Sequence, residues 1–219
     1  MERDIRDSEL YESRFEVKAR RSNARFYLLI MIIVLAMLGF RLYWTTNFGG
    51  VTVDGGSMRN TFVSGEQLVM KYVDGEKAQR GDVIVVYVGD YEEFNDPVPE
   101  SQKTKYLIKR LIAIEGDTVY CKDGVVMLKK SGSEQWEALD EPYAYYTDKK
   151  NYDFGEYVVQ EGEIFFLGDN RNHSQDSRFG QPHGSRLDRL YKVDDIVGVV
   201  PTWAIEYKAI FQKILFWNV

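Results

Sequence analysis

The chain has 219 residues, enough for one ordinary domain with a short appendage and too few for two domains of typical size. Hydrophobic residues make up 44% and charged residues 28%, which sets aside wholesale disorder, and a net charge of −6 argues against a general nucleic-acid binder. A single cysteine, Cys121, leaves no internal disulfide and no cysteine cage, and two histidines, His173 and His183, leave zinc chemistry short of ligands. No acidic cluster has ligand spacing, so neither a metal nor another cofactor is expected.

Residues 1–25 hold seven basic and six acidic side chains, and the last stretch, Lys18 to Arg25, is purely basic. Phe26–Phe40 then runs without a charge, Arg41 interrupts, and Leu42, Tyr43 and Trp44 follow. As a helix, residues 26–44 would be roughly 28 Å long, close to the ~30 Å hydrocarbon core of a bilayer. Arg41 sits near one end, where its stem can lie along lipid while its head reaches water. Tyr43 and Trp44 suit the interfacial aromatic belt, and the basic flank places the N-terminus in the cytoplasm. The expected organisation is a cytoplasmic tail over 1–25, a transmembrane anchor over 26–44 and an extracytoplasmic domain over 45–219. A cleavable signal peptide fits less well, because the leader is long and of mixed charge and no small-x-small site follows the apolar run. A buried core helix is the other alternative; length and basic flanks favour a single uncleaved anchor.

Beyond the anchor the period shifts to alternation. Strands are expected over Val83–Val88, Tyr106–Ile114, Thr118–Cys121, Val125–Leu128, Glu156–Gln160, Glu163–Leu167 and Ile196–Ile205. Lys122-Asp123-Gly124 and Glu161-Gly162 read as hairpin turns. Many short strands with glycine turns imply a mainly β fold, an antiparallel sandwich-like or barrel-like domain after one N-terminal helix. Tyr91–Lys105 and Lys130–Asp153 read as loops or insertions, and Ala209–Val219 as an apolar tail too short to span a membrane, docking on the core or touching the membrane surface.

Three segments are chemically unusual for such a domain. In Val53-Asp54-Gly55-Gly56-Ser57-Met58-Arg59-Asn60-Thr61-Phe62, two glycines let the backbone approach a ligand, and the amide beside the serine can help hold an oxyanion. Gly-Gly-Ser-Met is also an ordinary turn sequence. In Tyr106–Ile114, alternation puts Lys109 on one face with Leu107, Leu111 and Ala113, and Arg110 on the other with Ile108 and Ile112. A lysine among apolar neighbours loses charge more readily and can serve as a general base. An edge lysine reaching out to water fits the same pattern, and the strand alone does not separate the two. Gly168–Gly180 packs acids, arginines, serines and asparagines between glycines, which suits a tight hydrogen-bonded scaffold as well as a solvated loop.

Taken together, these segments resemble the bacterial type I signal peptidases, membrane-anchored serine–lysine proteases. The family's Ser-Met box matches Gly56-Ser57-Met58. Its Lys-Arg box matches Lys109-Arg110 with the following Gly116-Asp117, and its Gly-Asp-Asn-Arg-x-x-Ser-x-Asp-Ser-Arg box matches Gly168–Arg178 at every fixed position. Gly81-Asp82-Val83 matches an intermediate box, and the likeness covers most of residues 26–200. The resemblance implies Ser57 as nucleophile, Lys109 as general base and Ser174 as the hydroxyl that orients the lysine. It also implies that Asp169, Asp176 and Arg178 shape the last box, that Arg110 is structural beside the base, and that Met58 and Gly55 lie near the substrate. It implies cleavage of signal peptides from secretory preproteins after small residues in an Ala-x-Ala pattern, at the bacterial plasma membrane, by a monomer that meets the lipid bilayer.

The chain departs from the family pattern in three places. Asn60-Thr61-Phe62 stands for Pro-Thr-Leu, Glu115 for a common proline, and Gly55 for a serine or threonine that donates to the oxyanion. A histidine triad is the rival mechanism, but His173 sits at a variable position of the box, and the archaeal and endoplasmic-reticulum relatives carry histidine where Lys109 stands. Self-cleaving repressors share the dyad chemistry but lead with a DNA-binding domain. A non-enzymatic module that binds an exported partner would have no need of Ser57 and Lys109 together.

Overall fold

The computed structural model describes residues 2–87, 106–149, 152–180 and 191–215 and divides into two units, residues 1–47 and 48–219. The first unit is one helix, α1 (Glu2–Asn47), within which Asn23–Asn47 is long and apolar enough to cross a membrane. That stretch is 25 residues, about 37 Å along the axis, more than the ~30 Å core, and tilting accommodates such an excess. The helix therefore continues past both ends of the expected 26–44 run. Thr45, Thr46 and Asn47 turn their side chains back onto carbonyls of the preceding turn, which holds the last turn closed.

The second unit is mainly antiparallel β, as expected. Its strands are β1 (Phe48–Thr52), β2 (Gln67–Tyr72), β3 (Val83–Tyr87), β4 (Tyr106–Ile114), β5 (Thr118–Lys122), β6 (Val125–Lys129), β7 (Glu137–Ala138), β8 (Phe154–Val158), β9 (Ile164–Leu167) and β10 (Ile196–Val200). Two short helices follow, α2 (Thr202–Glu206) and α3 (Lys208–Leu215). One sheet has the order β1-β2-β10-β3-β4-β9 and the other β7-β6-β5-β8. β5 and β6 form the expected hairpin, with Asp123 and Gly124 both at positive φ.

Several expectations need correction. The Glu161-Gly162 turn does not close a hairpin: β8 pairs with β5 in the small sheet, whereas β9 pairs with β4 in the large one. The last strand stops at Val200 rather than Ile205, because Pro201 cannot continue the ladder and instead precedes α2. β1 and β2 fall where no strand was expected. Tyr91–Lys105 lies outside the described residues, as do residues 216–219 of the tail.

The register of β4 matters most for the site. Lys109 lies opposite Ile84 and Arg110 opposite Val83, so they occupy opposite faces of the strand. On the Lys109 side a core gathers Ile84, Val86, Leu111, Ile164 and Phe166; on the Arg110 side a second core gathers Ile112, Ala113, Val119, Leu128, Phe165 and Leu167. Ala113 was expected beside Lys109. A bulge at Ile112, between the pairs Leu111–Phe166 and Ala113–Phe165, inserts one residue and moves Ala113 to the other face.

Asp117, just beyond β4, is fully buried and holds the corner together. It takes a bidentate pair from Arg80 at 2.6 and 2.7 Å and accepts from the backbone of Ile114 and Ser131. Burial alone would raise its pKa, but the Arg80 hydrogen bond and the two amides outweigh it and hold the carboxyl below its ordinary value. Asp117→Ala is expected to cost about 3–5 kcal/mol in a denaturant titration. A depressed carboxylate stabilises the fold above its unfolded value near 3.8 and ceases to do so as pH falls through the lower folded value. The difference in stability between wild type and Asp117→Asn should therefore shrink in that acid window and be constant above it.

Candidate active site

Lys109 is 2% exposed, and its Nζ donates to Ser57 Oγ at 2.8 Å and to the Ile108 carbonyl at 3.1 Å. Burial pushes its pKa down from 10.5 to about 8, against the nearby carboxylates of Asp176 and Asp169, which raise it. The lysine is thus the desolvated one of the two readings left open by the strand pattern, and it lies within proton-transfer distance of a serine hydroxyl.

Ser57 sits half-buried in a loop that the Gly168 segment grips from behind. Asn170 N–H donates to the Ser57 carbonyl at 2.9 Å, and its side-chain amide donates to the Gly56 carbonyl at 2.9 Å. Met58 is buried, with its sulfur accepting from Asp169 N–H at 3.5 Å, so it anchors the loop as well as lying next to Ser57. Thr61 donates its hydroxyl to Asp169 Oδ2. Among the described residues the Ser57 N–H has no acceptor.

The departures from the family pattern have local causes. Asn60 takes φ +86°, a region asparagine tolerates, whereas a proline ring fixes φ near −65°. Gly55 takes φ +83°, where a serine or threonine would be strained, and its N–H donates to Ser64 Oγ at 3.2 Å.

Arg110 reaches Asp169 with two bonds of 2.8 and 2.7 Å, donates to Gly81 O at 2.9 Å, and lies 3.7 Å from the centre of the Tyr143 ring. Asp176 accepts from Arg178 Nε at 2.8 Å and from Gly168 N at 3.2 Å, while Arg178 also donates to the carbonyls of Arg171 and Ser174. Asp169, Asp176, Arg178 and Arg110 thus sit in one scaffold around the dyad. Ser174 differs from expectation. Among the described residues its buried hydroxyl has no hydrogen-bond partner, and the lysine amine bonds Ser57 and Ile108 O instead. It packs against Gly168, where an added Cβ would come within 2.6 Å of the Ser57 carbonyl oxygen. His173 is exposed.

Three contributors were not foreseen. Asn170 lies inside the recognisable box, but its two bonds to the Ser57 loop are visible only in space. Thr61 was noted only as a box residue. Glu141, in the stretch read as an insertion, pairs with the fully buried Arg171, whose guanidinium also reaches Tyr146 Oη and the Gly168 carbonyl. The segment 143–148 is laced to the same loop through Tyr145 and Asn172. Among the described residues no group of three acids, histidines or cysteines could hold a metal.

A serine hydroxyl on a buried lysine amine, carried by antiparallel sheets, has the make-up of a serine–lysine hydrolase. The family model described as signal peptidase, peptidase S26, matches residues 24–206, and the chain belongs to that family, whose members of this type are serine endopeptidases. It is 35% identical over 158 residues to signal peptidase I of Bacillus licheniformis, covering 69% of this chain and 75% of that one. It is 31% identical over 188 residues to signal peptidase I P of Bacillus subtilis subsp. natto, covering 83% and 90%. It is also similar to the crystal structure of a signal peptidase I from Enterococcus faecalis V583, at 26% identity, 57% and 97% coverage and a TM-score of 0.38.

Gly168→Ala is expected to push the Ser57 backbone off its position, since the added Cβ would meet the Ser57 carbonyl oxygen at 2.6 Å and the buried Ser174 side chain closer still, and a backbone atom cannot swing away. Hydrolysis of a peptide substrate should fall by about 100-fold, the scale set by an ångström of misplacement. A Gly168→Ala protein with wild-type turnover would show that this contact does not set the nucleophile.

Proposed function

We propose that the chain is a signal peptidase I that removes signal peptides from secretory preproteins after small residues, with Ser57 as nucleophile and Lys109 as general base. The observation that carries this reading is the 2.8 Å contact between a serine hydroxyl and an amine whose pKa is pushed down to about 8. Neutral Lys109 takes the Ser57 proton as Oγ bonds to the scissile carbonyl carbon. The Ser57 N–H donates to the oxyanion that forms. Collapse breaks the C–N bond, and the Lys109 ammonium gives its proton to the leaving amine. Water then attacks the acyl ester, Lys109 accepts its proton, and Ser57 recovers it.

The other residues support this geometry. Arg110, Asp169, Asp176 and Arg178 shape the loop behind the dyad. Met58 and Gly55 flank the nucleophile on the substrate side. Ser174 acts by bracing Gly168 rather than by bonding the amine. Residues 26–44 anchor a monomer in the bacterial plasma membrane, with 1–25 in the cytoplasm and 45–219 outside, from the basic flank at Lys18–Arg25.

With a pKa of about 8, roughly a tenth of Lys109 is neutral at pH 7. Processing of an Ala-x-Ala preprotein should therefore rise along one ionisation near 8 and level off above it. Ser57→Ala should abolish cleavage, and Lys109→Arg should do nearly the same, since guanidinium keeps its proton. A Lys109→Met enzyme with wild-type turnover and an unchanged pH profile would remove the general base from the mechanism.

Protease added to intact spheroplasts should digest the large domain and leave the anchor. Full protection of residues 45–219 would reverse the topology.

A further inference from the structure

The nucleophile loop is gripped on a second side, by a residue outside every family box. Lys208 opens α3, and its Nζ lies 2.8 Å from the Thr61 carbonyl, 2.9 Å from Glu66 Oε1 and 3.1 Å from Glu66 Oε2. Glu66 in turn accepts from the Val63 N–H at 3.0 Å, and its backbone closes the foot of the loop through Val53 N–H at 2.8 Å. Lys208 Nζ also stands 5.5 Å from the ring centre of Phe62, which is buried. One ammonium therefore fixes both the Thr61 peptide and the turn that follows it.

Thr61 is the link to the dyad. Its carbonyl accepts a hydrogen bond from the Lys208 ammonium while its hydroxyl donates to Asp169, the carboxylate that holds Arg110 next to the base. Thr61 N–H and Phe62 N–H both return to the Met58 carbonyl, one residue after Ser57. The loop is thus fixed between Asp169–Asn170 on one side and Lys208 on the other. Glu66 neutralises the lysine charge, and the pair is partly shielded, with side chains 30% and 14% exposed. A charge-assisted bond in such a setting is stronger than one between neutral groups.

We propose that Lys208 is a positioning residue for the reaction: the C-terminal helix, through Lys208 and Glu66, holds the Ser57 loop at bonding distance from the Lys109 amine. This rests on the serine–lysine reading above. It gives the tail beyond β10 a part in turnover that does not depend on substrate contact.

The test uses the full chain in detergent. Wild type, Lys208→Met, Lys208→Arg, Glu66→Gln and the Lys208→Met/Glu66→Gln double variant are compared for kcat and KM on an Ala-x-Ala preprotein. The rate of Ser57 acylation by a small electrophile and the melting temperature are measured beside them. Lys208→Met should lower kcat and the acylation rate together by about tenfold, a fraction of the loss that a full ångström of misplacement brings, with KM unchanged. Lys208→Arg should restore most of the rate. The double variant should lose no more than the worse single one, because both remove the same contact. Unchanged kcat and acylation in Lys208→Met would overturn the proposal. So would a loss that merely follows the fraction of unfolded protein, or one that Lys208→Arg does not recover. If wild type cleaves no preprotein yet Ser57 is acylated and Lys208→Met slows that step, the substrate reading fails and the positioning role stands. If wild-type Ser57 neither cleaves nor acylates, both fall.

Discussion

The buried ion pair between Arg110 and Asp169 is where the separate parts of the site meet. Arg110 comes from β4, Asp169 from the loop after β9, and Thr61 from the nucleophile loop bonds the same carboxylate. Tyr143 covers the guanidinium from the segment after β7, and Gly81 O takes its remaining reach before β3. Five stretches that are far apart in sequence thus converge on one charge pair. Burying two ions is expensive, and an apolar pair of the same volume can be as stable. What an apolar pair would lack is direction. Two parallel N–H···O bonds fix β4 against the loop in one orientation, and that orientation sets Lys109, the preceding residue of the strand, on the face toward Ser57.

The electrostatics of Lys109 depend on this arrangement in a second way. Two carboxylates stand close enough to favour its charged form, yet burial prevails and the pKa falls to about 8. Each of those carboxylates has its own arginine, Arg110 on Asp169 and Arg178 on Asp176, at 2.7–2.8 Å. A carboxylate already paired to a guanidinium projects a weaker negative field onto the lysine than a bare one would. It is burial that keeps the Lys109 pKa low against these two aspartates. Loss of either arginine would leave a buried aspartate unpaired beside Lys109 and disturb the loop's shape.

What could be read from the sequence follows from the range of the interactions concerned. The bounds of β4 and the β5–β6 hairpin rest on local pattern and turn chemistry, and they were legible. The Ser57, Lys109 and Gly168–Arg178 segments could be named because their composition is unusual and their family likeness specific. The pairing of β8 and β9 into different sheets was not legible, since Glu161-Gly162 makes the same turn whether or not the flanking strands pair. The bulge that carries Ala113 away from Lys109 leaves no mark in a run of branched apolar residues. Gln67–Tyr72 is short and flanked by polar residues, and its strand character comes from β1 and β10 on either side. Asn170 and Lys208 bond backbone carbonyls, and a carbonyl is present at every position, so spacing cannot announce such a contact.

The scaffold around the dyad is built from carboxylate–arginine pairs and backbone bonds rather than from regular secondary structure. Arg171–Glu141 ties in the segment before β8, Arg178–Asp176 closes the Gly168 loop on itself, and Arg110–Asp169 joins that loop to β4. A reason lies in the chemistry. In a serine–histidine–aspartate site a third side chain holds the base in its productive orientation. A lysine is a long chain with rotatable bonds and here has the serine and one carbonyl as its hydrogen-bond partners. Its orientation must come from the packing of its stem against β3 and β4 and from the fixed position of the serine it meets. The rigidity that a triad places in its third member is here distributed through the loops behind Ser57, where Arg110, Asp169, Arg171 and Asp176 are buried.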